Sequence, residues 1–230
     1  MRGYRSPFVG FLFFISKPKL WCIPLMGMLF AGVLLLTIFI MVFYSIWPDK
    51  GVSHLAYALN ITQALGISAL VILLIWLVVL PLFFNMCFEH LLKKVHLMKG
   101  GVLETLSFFN TLTSSMYVFV KTLGWRFLWL IFSGVTFFLW TSMTLVVVQL
   151  GMAYTAVLDG CDLNLSLKGV VAKQRLLLIR KHHLEILFAG IVAGMVSAFL
   201  LPTLLIWLFW IPSIYVGAYF WINEWSINHD

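Results

Sequence analysis

The stretch FLWLIFSGVTFFLWTSMTLVVVQLGMAYTAVL, residues 127–158, decides the fold, because it runs for 32 residues without one formal charge. As a single helix it would be about 48 Å long at 1.5 Å per residue, whereas the hydrocarbon core of a bilayer is only ~30 Å thick. The stretch is too long for one crossing and short for two. It therefore predicts a helical hairpin, either re-entrant or fully spanning, and its hydrophobic length favours the re-entrant form.

A second long apolar run, residues 186–222, is also too long for one crossing and short for two. Pro202 divides it into pieces of 16 and 20 residues, and the second piece contains Pro212. Because proline kinks or ends a helix, this run also predicts a hairpin of two short helices.

Two other apolar runs have the ordinary length of a spanning helix. Residues 20–47 and 64–88 are free of charge and exceed the ~20 residues that one crossing needs. Of the 230 residues, 63% are hydrophobic and 10% charged, against about 25% charged in soluble domains. No strand-like alternation is sustained. We therefore expect an all-α integral membrane protein, organised as one membrane domain over 1–230, with two transmembrane helices and two hairpins.

The segments between the apolar runs are basic and amphipathic. Their apolar residues recur at helical spacing while the charges face elsewhere, which is typical of helices that lie on a membrane surface. We expect an interfacial helix over 1–19, interfacial helices over 89–126 and an amphipathic helix over 166–181. The run DGCD at 159–162 is expected as a turn after a helix.

The placement of cations predicts the topology. Of the 15 lysines and arginines, all except Lys50 precede the first span or lie in the two linkers that precede the predicted hairpins. Short loops rich in Lys and Arg stay in the cytoplasm. The cations thus form three groups, one before the first span and one in each linker. All three groups lie on the same side of the membrane only if residues 127–158 return to the side from which they start. The sequence thus predicts a multi-pass protein whose basic loops are cytoplasmic.

The sequence contains little that indicates a catalytic or a metal-binding site. His182 and His183 are adjacent, His90 and His96 are six apart, and neither spacing puts two ligands on one helix face. The three cysteines are far apart, and no phosphate-binding loop, dinucleotide fingerprint or nucleophile–base order occurs. No aromatic-basic or helix-turn-helix pattern accompanies the net charge of +7. We expect no enzyme activity, no metal, no cofactor and no nucleic-acid partner.

The remaining pattern favours transport. Broken apolar segments expose helix termini and free backbone groups to an ion. Lys17 and Lys19 precede the first span, and we expect them to make the first contact with an anion. The other candidates for a pathway lie near the ends of the apolar runs: Asn85, Glu89, Lys121 and Arg126. The alternative is that the lysines meet lipid headgroups, and that Asn85 and Glu89 merely cap and solvate a helix end.

The order of several short motifs along nearly the whole chain resembles the CysZ-type sulfate permeases. The motifs are Gly10-Phe11, Pro18, Pro24-Leu25, Pro81-Leu82-Phe83-Phe84-Asn85 followed by Glu89, Tyr154 to Asp159, a basic helix with Arg175, Phe188-x-Gly190, Pro202, and Pro212-x4-Gly217-Ala218 before Trp221.

The resemblance implies an oligomeric protein of the bacterial inner membrane that takes up sulfate for cysteine synthesis, with two long helices and two partly inserted hairpins. The arginine pair that helps such permeases hold sulfate is replaced here by the interval Lys19–Ile23, which contains no arginine. Lys17 and Lys19 alone would supply charge there. A functional alternative of another class is a non-transporting membrane scaffold or lipid-interacting envelope protein.

Overall fold

The computed structural model of the chain describes residues 3–47, 54–101, 108–200 and 205–225. Every regular element within these residues is helical, which confirms the all-α prediction for the described part of the chain. The α-helices are α1 Ser6–Ile15, α2 Cys22–Ser45, α3 His54–Met98, α4 Phe108–Leu139, α5 Thr141–Leu167, α6 Ala172–Lys181, α7 His183–Leu200 and α8 Ile211–Ile222. Short 3-10 turns at Gly3–Arg5 and Pro18–Leu20 flank α1, and a π-helical turn at Ile206–Trp210 precedes α8.

Within the described ranges, three helical stretches are long and apolar enough to cross a membrane: Pro18–Ser45, Met116–Leu139 and Met143–Leu167. A fourth would be the bent pair of α6 and α7, whose axes differ by 72°. These stretches indicate a membrane protein. The crossing expected for 64–88 stays a prediction.

Helices α4 and α5 form the predicted hairpin, but its limits differ from those expected. The break falls at Trp140, whose backbone is extended at φ −158° and ψ 86°. Pairs across the hairpin, such as Trp129 with Tyr154 and Arg126 with Asp159, show that the limbs run antiparallel. Each limb reaches well beyond 127–158, so the hairpin is not limited to its charge-free part. The length of the charge-free stretch, which favours a re-entrant form, is therefore shorter than the true length of the two helices.

The linkers expected as separate interfacial helices are largely parts of longer helices. Helix α3 is 45 residues long and continues without interruption to Met98. Helix α4 carries Lys121 and Arg126 in its interior rather than before it. The separation expected at Phe88 and at Phe127 is therefore wrong, because the charges that marked those ends lie along continuous helices. Residues 102–107, within the same linker, are outside the described part.

The amphipathic helix expected over 166–181 begins later. Helix α5 ends at Leu167, Gly169 adopts a φ of +73°, and α6 starts at Ala172. The run at 159–162 lies inside α5, so its interpretation as a turn is wrong. In the last apolar run α7 and α8 are separate helices, and Pro212 lies in the first turn of α8. Pro202, the expected break, lies outside the described residues, as does Lys50.

The chain divides into two compact units, residues 25–87 and the remainder, where one domain was expected. In the smaller unit the rings of Phe30 and Phe83 stack at 5.1 Å and those of Trp47 and Tyr57 lie 6.5 Å apart, so α2 and the first part of α3 run antiparallel. Many large apolar side chains of α2 remain exposed, as expected of a helix surrounded by lipid.

Close helix crossings at glycines build the larger unit. Gly190 and Gly194 of α7 form a G-x-x-x-G pair, and a Cβ on either would lie 2.6 Å from a backbone Cα of α5, at Tyr154 and Leu150. Gly217 of α8 similarly leaves no room for a Cβ against the backbone of α1. Small residues allow such backbone contact where helices have no hydrophobic driving force between them. Helix α5 is thereby enclosed by its neighbours.

Candidate functional site

The charged cluster of the larger unit is centred on α5, which carries two carboxylates one turn apart. Asp159 accepts from Arg126 of α4, and Asp162 accepts from Arg175 of α6. Residues three apart lie on neighbouring parts of one helix face. The two carboxylates thus join α5 to the helix before it and the helix after it.

Arg126 meets Asp159 as a two-pronged pair. One terminal nitrogen, Nη1, donates to Oδ2 at 3.2 Å, while Nη2 contacts Oδ1. The ring of Phe119, two turns earlier on α4, covers the guanidinium at 4.5 Å from its carbon to the ring centroid. The side chains are only 15% and 13% exposed. A planar guanidinium suits this geometry because its fork of donors matches a carboxylate.

Arg175 and Asp162 form a still more enclosed pair. Arg175 Nη1 donates to Asp162 Oδ1 at 2.9 Å and lies 3.4 Å from the Asp162 carbonyl oxygen. The side chains are 1% and 8% exposed. A charge so far from water requires its partner, because an isolated buried ion is strongly destabilising.

Two buried donors beside the first pair have no hydrogen-bond partner in the described part of the chain. They are Arg126 Nε and the hydroxyl of Tyr154. Tyr154 lies close enough to Arg126 and Asp159 to interact with both electrostatically, as does Tyr215 of α8. Buried donors are almost always paired in folded proteins. Each of these two donors is therefore available to a water or an anion.

Polar contacts to α8 hold the other side of α5. Asn164 Nδ2 donates to the carbonyl oxygen of Tyr215 at 3.2 Å, and Lys168 Nζ donates to that of Ile222 at 3.3 Å. Partial burial lowers the pKa of Lys168 below its ordinary value. Its ammonium lies at the C-terminal end of α8, where the helix dipole favours a cation.

Aromatic rings lie next to the Tyr154 side chain, beside the Arg126 pair. Trp129 lies 6.0 Å from Tyr154, and His183 at the start of α7 lies 6.0 Å from the same ring. Trp125 packs on His183 at 4.4 Å. This apolar surround lowers the local dielectric and strengthens the electrostatic interactions of Arg126.

Of the five predicted site residues whose side chains the structure describes, only Arg126 belongs to this cluster. Lys17, Lys19 and Lys121 are exposed, and Lys121 lies 5.9 Å from the ring of Tyr117. Glu89 pairs along α3 with Lys93 at 2.6 Å. Asn85 lies in α3, and its side chain is outside the described set.

The sequence reasoning missed Asp159, Asp162, Arg175 and Tyr154 as members of one site. The signal that was present is the acidic pair at the end of a long apolar run. Arg126 and Asp159 also lie just outside the two ends of the charge-free stretch 127–158. A hairpin folded near its middle must bring such ends together.

No group of three or more His, Cys, Asp or Glu side chains is placed to hold a metal among the described residues. Comparison of the chain with models of protein families, with curated proteins and with solved structures finds no match.

Proposed function

We propose that this chain transports a small inorganic anion across a membrane, with sulfate as the first candidate substrate. The observation that carries the proposal is an arginine, Arg126, that is only 15% exposed inside an apolar stretch long enough to cross a bilayer. Its Nε and the Tyr154 hydroxyl lack an acceptor among the residues that the structure describes. Ionisable residues within membrane segments are costly and usually mark the path of an ion or a substrate.

The geometry around Arg126 is suited to binding an anion weakly enough to release it. A guanidinium has five N–H donors, and only the terminal nitrogens of Arg126 face Asp159. An oxyanion would accept from Nε–H and from the Tyr154 hydroxyl. Asp159 meanwhile limits the net positive charge and so weakens the hold on the anion. Conduction needs such a balance, because a site must release its ion as well as admit it.

The choice of sulfate rests on the motif order that resembles the CysZ-type permeases. On the same basis we propose an inner-membrane homo-oligomer of a bacterium with its basic loops in the cytoplasm. Lys17 and Lys19, both exposed, would attract the anion at the surface, and Arg126 would lie deeper along its path.

The test is uptake of radiolabelled sulfate into liposomes that contain the purified full-length protein, beside empty liposomes and a chloride-competition series. The variant pair Lys17→Ala, Lys19→Ala is compared with Lys94→Ala, another exposed lysine. We expect uptake above the empty liposomes that the double variant reduces and Lys94→Ala does not. Intact protein that passes no sulfate overturns the choice of substrate, and no flux of any small anion overturns the proposal.

A second candidate function is favoured by one specific observation. Both buried arginines already have a carboxylate partner, so the pairs could serve only to join α4, α5 and α6. The protein would then be a non-transporting membrane scaffold. Folded protein without anion flux, in which loss of the pairs lowers stability alone, is the result that this candidate predicts.

A further inference from the structure

The outward face of α6 carries a compact set of cations around one exposed leucine. Leu177 is 59% exposed, and Lys173, Arg180 and Lys181 stand four residues before it and three and four residues after it. These are the positions that neighbour a residue on a helix surface. All three cations are exposed, and the sequence of α6, AKQRLLLIRK, contains no acidic residue.

The opposite face of α6 determines which way these cations point. Arg175, Leu176 and Ile179 are buried, and Arg175 is held by Asp162 of α5. The inner face is therefore fixed to the protein by an ion pair and by apolar packing. The cationic face cannot turn inward without breaking both.

The position of α6 in the chain places this face at the edge of an apolar layer. Helix α7 follows α6 after a bend of 72° and is apolar over His183–Phe199. Leu184, at its start, is 78% exposed, and Val171, just before α6, is 65% exposed. Exposed apolar side chains next to Lys and Arg are typical of segments at the boundary between lipid chains and headgroups.

We propose that the outward face of α6 binds the headgroups of anionic phospholipids, with Lys173, Arg180 and Lys181 on the phosphates and Leu177 against the lipid chains. Charge complementarity identifies the occupant, because three cations without an acid on the same helix attract an anionic layer. The exposed leucine distinguishes a lipid from a soluble anion, which would gain nothing from it. This proposal does not depend on the proposed transport function.

The test is native mass spectrometry of the detergent-solubilised full-length protein, titrated with phosphatidylglycerol and separately with phosphatidylcholine. The triple variant Lys173→Gln, Arg180→Gln, Lys181→Gln removes the three positive charges of the outward face of α6. A charge-matched triple of exposed cations outside the proposed anion pathway serves as control: Arg5→Gln, Lys94→Gln, Lys99→Gln. At about fivefold per cation, the first triple should lose about a hundredfold in phosphatidylglycerol affinity.

A third variant and a soluble competitor separate lipid from phosphate. Leu177→Gln should weaken phosphatidylglycerol binding several-fold, and inorganic phosphate at millimolar concentration should not displace the lipid. Thermal unfolding of each variant checks that the fold is kept. The proposal is overturned if the two triples lose equal affinity, if the wild type does not prefer phosphatidylglycerol, or if inorganic phosphate displaces the lipid.

Discussion

Breaking the Arg126–Asp159 pair should be far more destabilising than breaking a surface pair of the same chain. In the variant Arg126→Met the carboxylate of Asp159, 13% exposed, would lose its partner inside an apolar helix pair. Removing one partner of a buried pair costs about 3–5 kcal/mol, because an uncompensated charge remains. Asp159→Leu should cost a similar amount, since it leaves the guanidinium unpaired.

The double variant Arg126→Met, Asp159→Leu should recover most of the lost stability. Replacing both charges by apolar side chains of similar size is often neutral or stabilising. We expect a coupling free energy of about 3 kcal/mol or more, measured from the four proteins in a double-mutant cycle. The assay is unfolding in mixed micelles by increasing SDS, followed by tryptophan fluorescence, with the free energy of unfolding extrapolated to zero SDS.

The matched control is the Glu89–Lys93 pair on α3, in which the lysine is 43% exposed. Pairs of this kind, four residues apart on a helix, contribute about 0.3–0.5 kcal/mol. The variants Glu89→Gln and Lys93→Gln should therefore show little coupling in the same assay. If the coupling free energy of Arg126 and Asp159 is as small as that of the control pair, the pairing does not explain how α4 and α5 accommodate charged residues within an apolar layer.

Three further predictions concern the packing and placement of the hairpin and its neighbours. Gly190→Ala, whose Cβ would lie 2.6 Å from a backbone Cα of α5, should lower the free energy of unfolding by about 1–3 kcal/mol. Gly134→Ala, with nothing within 4 Å, should leave it unchanged or raise it, and equal losses would contradict the close crossing. Arg175→Met should release α6, seen as faster hydrogen exchange over residues 172–181 than in wild type, and unchanged exchange would show that the Asp162 pair does not hold the helix. Trp140→Cys, in a background without the three native cysteines, should react with a membrane-impermeant maleimide from the face opposite that of Lys173→Cys, whereas labelling from the same face would indicate a re-entrant hairpin.

Helical content and the existence of the central hairpin could be predicted from sequence because both depend on local properties. An apolar run of 32 residues allows few arrangements in a bilayer, and the run contains the break at Trp140. The basic, amphipathic character of α6 could also be predicted, since it follows from residue type and helical spacing alone.

The limits of the helices could not be predicted, because a search for charge-free runs treats every charge as an end. Arg126 and Asp159 lie 33 residues apart, and only their contact across the hairpin shows that each is neutralised by the other. Once paired, the charges no longer prevent α4 and α5 from continuing past them. The same reasoning explains why 159–162 was interpreted as a turn.

The functional residues were harder to predict for a related reason. Lys17 and Lys19 precede an apolar run, which is the pattern that predicts an anion contact there, yet both are exposed and neither lies in the charged cluster. Tyr154 belongs to the motif Tyr154 to Asp159, but nothing in that motif shows that its hydroxyl is buried. That its hydroxyl lacks an acceptor among the described residues is visible only after α4 and α7 pack against it.

The most direct test of the proposed anion pathway is sulfate uptake by liposomes containing Tyr154→Phe, measured beside wild type and Tyr44→Phe. The first variant removes only the buried hydroxyl that has no partner, and the second removes a hydroxyl from a side chain that is 68% exposed. If the pathway passes Arg126, uptake should fall about tenfold in Tyr154→Phe, as expected for the loss of about 1.4 kcal/mol from one hydrogen bond to an ion. Tyr44→Phe should match wild type. Equal uptake by all three proteins, or none above empty liposomes, would contradict the account.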